Sequence, residues 1–552
     1  MEVIILEILI KYTYEIIKIS WKYSFKSIFL IYYFNSINPN ICFEGNMKNN
    51  YGKHVLISKT IFKNNSIVLS FFFWLMLLST ATLNANNLIV SQTAYLVEKN
   101  TSLHSIKVKF DLSWENSWKV NSAPNNWDAA WLFIKFKVNN SEWKHATLDT
   151  ILENFTVTNN NSIPATFNPT NAGKGVFITR LDYDTGNNNL DCVKLRWNYG
   201  LDGVGDNDSI QVKVFAIEMV YVPQGGFHLG SGGSDSAHFY TYPSSSSTYM
   251  VNSENALNVG TTTGNLYYTP SNYTGDGLGP IPATFPKGFK AFYCMKYEIT
   301  QEQYAEFLNS LTATQKSARY FNNFNNYRYY IKLVNGIYGC DGNNNGILNE
   351  ADDGQNIACN WLSYSDGAAY ADWSGLRPMT ELEYEKACRG TASPISNEYA
   401  WGNATLIAVT SISNPRTTNE EALPSNANCV SGNFTQGPMR VGNFARSSSN
   451  RQQSGGSYYG IMELSCNLWE RIITVGNPTG RSFTGLNGDG ILGGDGNANV
   501  TGWPSGNSVG SGYRGGDWNN LENSGRVSDR IYAAYISSIR FFTVGFRCCI
   551  IP

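Results

Sequence analysis

A chain of 552 residues is long enough for two or three domains and a sizeable buried core, so neither a metal nor a disulfide is needed merely to let it fold. Charged residues make up 15% of it, against roughly 25% in ordinary soluble proteins, while 50 glycines, 33 tyrosines and 14 tryptophans indicate turns and aromatic packing. With 41 basic against 43 acidic residues the net charge is -2, and no basic cluster is available to neutralise a run of phosphates, which excludes nucleic acid as an expected partner.

Residues 1–85 read as leader. The first 46 are rich in Ile, Lys, Tyr and Phe, with a charge interrupting each apolar run, and read as a spurious extension outside the translated protein. Met47 is the better start: Lys48, Lys53, Lys59 and Lys63 make a positive region, Ile67 to Leu78 an apolar core, and Ser79-Thr80-Ala81 offers small residues for cleavage. This is the pattern of a signal peptide, and it predicts a secreted, cell-surface or periplasmic protein. The apolar core is short of the ~20 residues a membrane span needs, so no span is expected in the mature chain. No Cys follows the apolar run directly, so lipid attachment is not indicated.

From residue 86 to about 218 the pattern has period two. Ile106, Val108, Phe110, Leu112 and Trp114 point one way, and the alternation recurs at Leu132, Ile134, Phe136 and Val138 and at Ile210, Val212, Val214 and Ala216. Each run reads as a half-buried strand between Asn/Gly/Pro-rich turns, which predicts a β-sandwich. Helical signals begin only after the Pro/Gly break near residue 219. TQEQYAEFLNSL opens with a Thr300/Gln303 capping box and places Tyr304, Phe307, Leu308 and Leu311 on one face. SDGAAYADWSG is a second helix, ending at Gly375. TELEYEKACRG repeats the capping device with Thr380 and Glu383 and stops at Gly390. The remainder, to Pro552, is Gly/Asn/Ser-rich, and the fold class expected is α+β.

The leader carries Cys42, leaving nine cysteines: Cys192, Cys294, Cys340, Cys359, Cys388, Cys429, Cys466, Cys548 and Cys549. An odd count leaves at least one thiol unpaired. Cys340 and Cys359 bracket an Asn/Asp/Gly loop and form the first pair to expect in an oxidising compartment. Within that loop DGNNNGILNEAD fits a twelve-position calcium pattern, with Asp341, Asn343 and Asn345 at places one, three and five, Gly346 at six and Asp352 at twelve. Ile347 would give its carbonyl and Asn349 would reach the ninth place. Against this, Asp at the twelfth place is shorter than the usual Glu and no helix clearly precedes the loop, so ordinary Asn/Gly turn chemistry is the competing reading.

Seven phrases taken together, VYVPQGGFHLGS, KYEITQEQYAEFLN, WLSYSDGAAYADWSGLRPMTELEYEKACRG, YAWGN, ELSCNLWE, YRGGDW and VGFRC, resemble in order the formylglycine-generating enzymes, or sulfatase-modifying factors. The resemblance implies an irregular C-type lectin-like domain over 219–552, downstream of the sandwich. In active members two cysteines after the RGG phrase bind Cu(I), a soft ion that prefers thiolate, and oxidise a substrate cysteine to formylglycine. Those two positions fall here on Asn520 and Gly525. The resemblance therefore implies a scaffold without its copper site, and no copper is expected.

Whether the chain is an enzyme stays open on sequence. A copper- or iron-dependent oxidoreductase with a shifted metal site is the alternative. It would have to use the vicinal Cys548 and Cys549, or the scattered His104, His145, His228 and His238, since a related branch holds iron with histidines. The family's own calcium phrase implies a site at the carboxylates of Glu463 and Glu470 and the carbonyls of Cys466 and Leu468. Cys466 there replaces the usual Gly and Arg471 the usual Trp, and a solvated Glu463/Glu470 surface pair is the competing reading. A second family site, at Asn428 and Cys429, lacks its aspartate. The function expected is a non-catalytic, calcium-stabilised binding or surface-structure module. Trp503 and Tyr513, as exposed aromatics, would suit a glycan or a protein ligand.

Overall fold

Alternating apolar residues dictate the first part of the molecule. The computed structural model describes residues 88–552 except 140, 159–164, 447 and 521. The leader, Met47 and the cleavage site therefore lie outside the described residues. Nine strands come first: β1 (Ile89–Asn100), β2 (Ser105–Trp118), β3 (Asp128–Val138), β4 (Lys144–His145), β5 (Thr156–Thr158), β6 (Ala165–Pro169), β7 (Val176–Arg180), β8 (Thr185–Trp197) and β9 (Ile210–Val222). One antiparallel sheet has the order β1-β2-β8-β5, and a second contains β9-β3-β7-β6.

The inward residues of β2 (Ile106, Val108, Phe110, Leu112, Trp114) share a core with Leu132, Ile134 and Phe136 of β3 and with Leu195 and Trp197 of β8. Phe136 and Trp197 lie 4.6 Å apart between ring centroids. This is the expected sandwich, closed by apolar faces that alternation put on one side of each strand.

β3 departs from the expectation of a half-buried strand. Its other face is buried too: Ala129, Trp131 and Phe133 belong to the core of the second part. Lys135, whose charge makes that face look solvent-facing in sequence, is 2% exposed and donates to the carbonyls of Trp373 (2.7 Å) and Gly490 (2.9 Å). Carbonyl acceptors stand in for the water an ammonium would otherwise need.

The second part contributes β10 (Phe292–Met295), α1 (Gln301–Asn309), α2 (Ala313–Arg319), α3 (Tyr364–Trp373), β11 (Arg377–Pro378), α4 (Glu381–Arg389), β12 (Trp469–Ile473), β13 (Ser511–Arg514), β14 (Val544–Gly545) and β15 (Cys548–Ile550). The second sheet continues from β9 through β10 and β15 to β11. Residues 218 and 219, where the sequence pattern changes, both lie inside β9, which pairs with β3 from Ile210 to Val220 and with β10 from Met219 to Val222. Hydrogen bonding passes that point without a break.

The three expected helices form with their caps: Thr300, Ser363 and Thr380 each accept from the third helical N–H. Gly390 closes α4 at φ 65°. α2 was not expected, yet it uses the same device at Thr312 and Gln315. Among the described residues no helix is long and apolar enough to cross a membrane.

Candidate functional site

The RGG phrase is locked from beneath by buried charge. Arg514, at the end of β13, donates to Glu381 (3.0 Å) and Glu385 (2.8 Å) of α4 and to the carbonyl of Val527 (2.6 Å). Arg530 reaches the same Glu381 at 2.6 Å. All four side chains are fully buried. The paired carboxylates raise the pKa of Arg514 against the opposing effect of burial. Pairing of this kind fixes the position of β13 relative to α4; removing one partner would strand the other in low dielectric.

Above that anchor the chain turns at Gly516, φ 72°, where a Cβ would lie 2.8 Å from the nitrogen of Gly525. Only glycine permits this approach. Asp517 then accepts from the backbone N–H of Asn519 (2.6 Å) and Asn520 (2.9 Å) and from the Asn520 amide (2.6 Å). Burial pushes its pKa up to about 6, and those three hydrogen bonds hold it from going higher. The two sequence positions thus come together: Asn520 beside Asp517, and Gly525 against Gly516. A Cβ at Gly525 would also lie 3.1 Å from Sγ of Cys466.

That sulfur belongs to the one disulfide among the described residues, Cys429–Cys466, with Cα atoms 5.6 Å apart. The expected Cys340–Cys359 pairing is not formed; both are buried free thiols, and the Cys359 thiol donates to the carbonyl of Asn360. Loop spacing selected them, but pairing is decided by which sulfurs the tertiary fold brings together, and Tyr399 and Trp401 pack with Cys429 and Cys466 in a small core of their own. Cys548 and Cys549 are also free and buried. They pack into two different core clusters from opposite faces of β15. Burial raises both thiol pKa values well above normal, the reverse of what a thiolate ligand needs.

The histidines stay scattered. His104 contacts Asp206 (3.1 Å), His145 the carbonyl of Lys174 (2.6 Å), His228 the Thr248 hydroxyl (2.9 Å), and His238 the carbonyls of Asp235 and Ser245 (2.7 and 3.0 Å). Among the described residues no three His, Cys, Asp or Glu side chains are grouped to hold a metal.

The two calcium candidates differ in how free their oxygens are. In the loop, Asp341 accepts from the Lys332 ammonium at 2.8 Å, and Asp352 from the Asn343 amide at 2.9 Å. Asn345 bonds to Glu350 and to the N–H of Ile347, itself 59% exposed. Asn349 turns away, accepting from the Cys340 N–H at 2.9 Å. A hairpin, Ile331–Val334 with Ile337–Cys340, precedes the loop instead of a helix. Four of the six proposed ligands share one hydrogen-bonded cluster, with a lysine already supplying positive charge.

Around ELSCNLWE the oxygens are less committed. Glu463 and Glu470 are 4% and 1% exposed, so they are not a solvated surface pair. Glu463 accepts from the Gly442 N–H at 2.8 Å and Glu470 from Arg547 at 2.8 Å, but the second carboxylate oxygen of each is buried without a partner. Burial raises the Glu463 pKa to about 7 and raises that of Glu470. Glu298, which sequence reasoning missed, is a third buried carboxyl there, its pKa pushed well up by burial and by Glu470. Glu470 pairs directly with the Arg547 guanidinium, while Glu298 and Glu463 feel its charge from further away. Cys466 adopts φ 75° and Asn467 φ 68°, a left-handed turn of the kind glycine favours.

Beside Asn520 lies a cleft of about 310 Å³ walled by Tyr273, Trp469, Tyr513, Tyr532 and Tyr535. Of the two aromatics singled out in sequence, Tyr513 is only 6% exposed and lines this cleft. Trp503 packs on the core instead, its indole N–H donating to the carbonyl of Leu486 at 2.9 Å. Tyr532 and Tyr535, three apart just after the RGG phrase, were the signal available in the sequence.

A model of the sulfatase-modifying factor enzyme 1-like domain matches residues 213–551, beginning inside β9. Over 127 residues the chain is 28% identical to the mouse (Mus musculus) protein called inactive C-alpha-formylglycine-generating enzyme 2, covering 23% of this chain. The chain spans about a third of that relative's length (35%). With buried RGG anchor, ordered phrases and family match in agreement, the chain belongs to the sulfatase-modifying factor family and carries its C-type lectin-like domain behind a β-sandwich.

Proposed function

We propose that this protein is a non-catalytic member of its family, a secreted or cell-surface module that binds a ligand and is stabilised by calcium. One observation carries the reading: at the positions where active relatives place two copper-binding thiolates, this chain has the carboxamide of Asn520 and the bare Gly525, with the Cys429–Cys466 disulfide filling the space next to Gly525. A carboxamide is a hard oxygen donor and glycine offers no donor, so a soft cuprous ion finds no match. The name of the mouse relative, which calls that protein inactive, supports the same reading. The orphaned oxygens of Glu463 and Glu470 support calcium at that turn, where the carbonyls of Cys466 and Leu468 would complete the donor set. Calcium at the 341–352 loop would have to displace Lys332. Secretion is supported by the leader and by a disulfide suited to an oxidising compartment.

The test is direct. Purified protein is loaded with Cu(I) and offered a cysteine-containing peptide in an oxygen electrode. No oxygen uptake and no tight copper binding are expected; thiol-dependent oxygen consumption would overturn the reading and favour the oxidoreductase alternative.

A further inference from the structure

The cleft beside Asn520 has six aromatic side chains among its eleven lining residues and a lining that carries no charged side chain. Its rings stand at steep angles to one another: Trp469 and Tyr532 lie 5.6 Å apart at 82°, and Tyr273 and Tyr535 lie 5.2 Å apart at 71°. Such a box, taken alone, is the chemistry of a quaternary ammonium site. One residue behind the wall argues against that.

Arg471 lies directly across β12 and β13 from Tyr513. Its guanidinium carbon is 4.2 Å from the centre of the Tyr513 ring, and the side chain is fully buried. None of its three nitrogens makes a hydrogen bond of good geometry, and the Tyr513 side chain is the polar neighbour that helps to hold its charge. Among the described residues it makes no salt bridge, unlike Arg514, Arg530 and Arg547. Burial pulls its pKa down while Tyr513 and the more distant Asp366 push it up, and an arginine keeps its charge even so. Tyr513 is thus the layer between an uncompensated positive charge and the cleft it helps to line. A ligand stacked on that layer would sit ~8 Å from the charge, where at an effective dielectric constant of about 20 a unit charge changes affinity roughly thirty-fold, against a cation and in favour of an anion.

The polar groups of the lining narrow the choice further. Asn520 gives its amide N–H to Asp517, which leaves its carbonyl oxygen to accept from a ligand hydroxyl. Ser537 and Thr543 add hydroxyls to the same lining. Flat apolar faces for the rings, several hydroxyls for these groups and one negative charge describe an acidic sugar. The volume, at the small end of ligand pockets, suits one or two such units.

We propose that this cleft binds a glycan through an acidic sugar unit of the uronic-acid type, with Arg471 as the charge that sets the preference. The proposal rests on the reading of the domain as a binding module.

Calorimetry on the full chain at low salt tests it with four probes: a galacturonic acid trisaccharide, the neutral galactose trisaccharide, triglutamate and tetramethylammonium. The acidic sugar should bind at least tenfold more tightly than the neutral one, and the other two more weakly still. Arg471→Met should bring the two sugars to equal affinity; replacing a buried charge by an apolar side chain of similar length is commonly tolerated. Tyr535→Ala, at a ring that is 38% exposed, should weaken both. Equal binding of the two sugars by the unaltered protein, a preference that survives Arg471→Met, tighter binding of triglutamate or tetramethylammonium, or no binding of either sugar would each overturn the proposal. Copper-dependent oxygen uptake would instead overturn the non-catalytic reading, so the two failures are distinguishable.

Discussion

A β-carbon on Gly525 would lie 3.1 Å from the Sγ of Cys466, a contact tighter than real side chains normally make. Cys466 is tied to Cys429, so that sulfur cannot swing aside. Restoring the two family cysteines alone should therefore not restore a copper site. Asn520→Cys with Gly525→Cys is expected to bind Cu(I) weakly in competition with a cuprous chelator. Adding Cys429→Ser and Cys466→Gly removes the obstruction and should raise the affinity. Tight binding by the double variant would show that the disulfide does not obstruct the position.

Asp517 gives the fold a pH dependence. Its carboxyl is raised from an ordinary value near 3.9 to about 6 because it is buried. The folded protein therefore holds a proton near pH 5 that the unfolded chain has released. The sign follows: the contribution is fully present below about pH 4 and is lost as pH rises through 6. A shift of this size corresponds to at most about 3 kcal/mol. Asp517→Asn keeps an acceptor for the N–H groups of Asn519 and Asn520 and should flatten this part of the stability profile, measured by urea unfolding between pH 4 and 7. An unchanged slope in the variant would assign the titration elsewhere.

Much of this was written locally in the chain, and what was not depends on distant pairings. The capping boxes at Thr300 and Thr380 could be read because a cap and its partner are three residues apart. The same signal at Thr312 was present and α2 was missed. Lys135 misled because a lysine in an alternating strand looks solvated; only the carbonyls of Trp373 and Gly490, more than 230 residues away in sequence, reveal otherwise. Asn520 and Gly525 were found by register with the RGG phrase, but the disulfide beside Gly525 joins residues 37 apart and obeys packing, not loop spacing. The cleft was the least legible, because its rings come from residues 273, 469, 513, 532 and 535.

Calcium should act through Glu463 and Glu470. Both are buried, each with one unpartnered oxygen. A ligand present at a hundred times its dissociation constant stabilises the fold by about 2.7 kcal/mol. Thermal unfolding should therefore shift upward when millimolar calcium replaces EDTA. Glu463→Gln should abolish most of that shift while keeping an acceptor for the Gly442 N–H. Asp352→Asn, in the loop whose oxygens are already hydrogen-bonded, should alter it less. A calcium response lost only in the Asp352 variant would move the site to the 341–352 loop.

The family match begins at residue 213, but the physical unit reaches further back. A fragment starting at 219 keeps only the last four residues of β9 and loses β3, the strand whose Trp131 and Phe133 pack in the same core as Phe307, Tyr370 and Trp373. Trp131 and Lys135 also give hydrogen bonds to Ser374 and Trp373 at the end of α3 (2.8 and 2.7 Å). Exposing two large aromatic side chains costs about 3 kcal/mol or more, and the four-residue remnant of β9, still paired with β10 but stripped of β3, would become an open edge. The 219–552 fragment is therefore expected to be insoluble or to unfold without a cooperative transition, while 86–552 unfolds as one unit. Circular dichroism and thermal melts of the two fragments decide the matter: a cooperative melt of 219–552 at the temperature of the longer fragment would show that the sandwich is a separable domain.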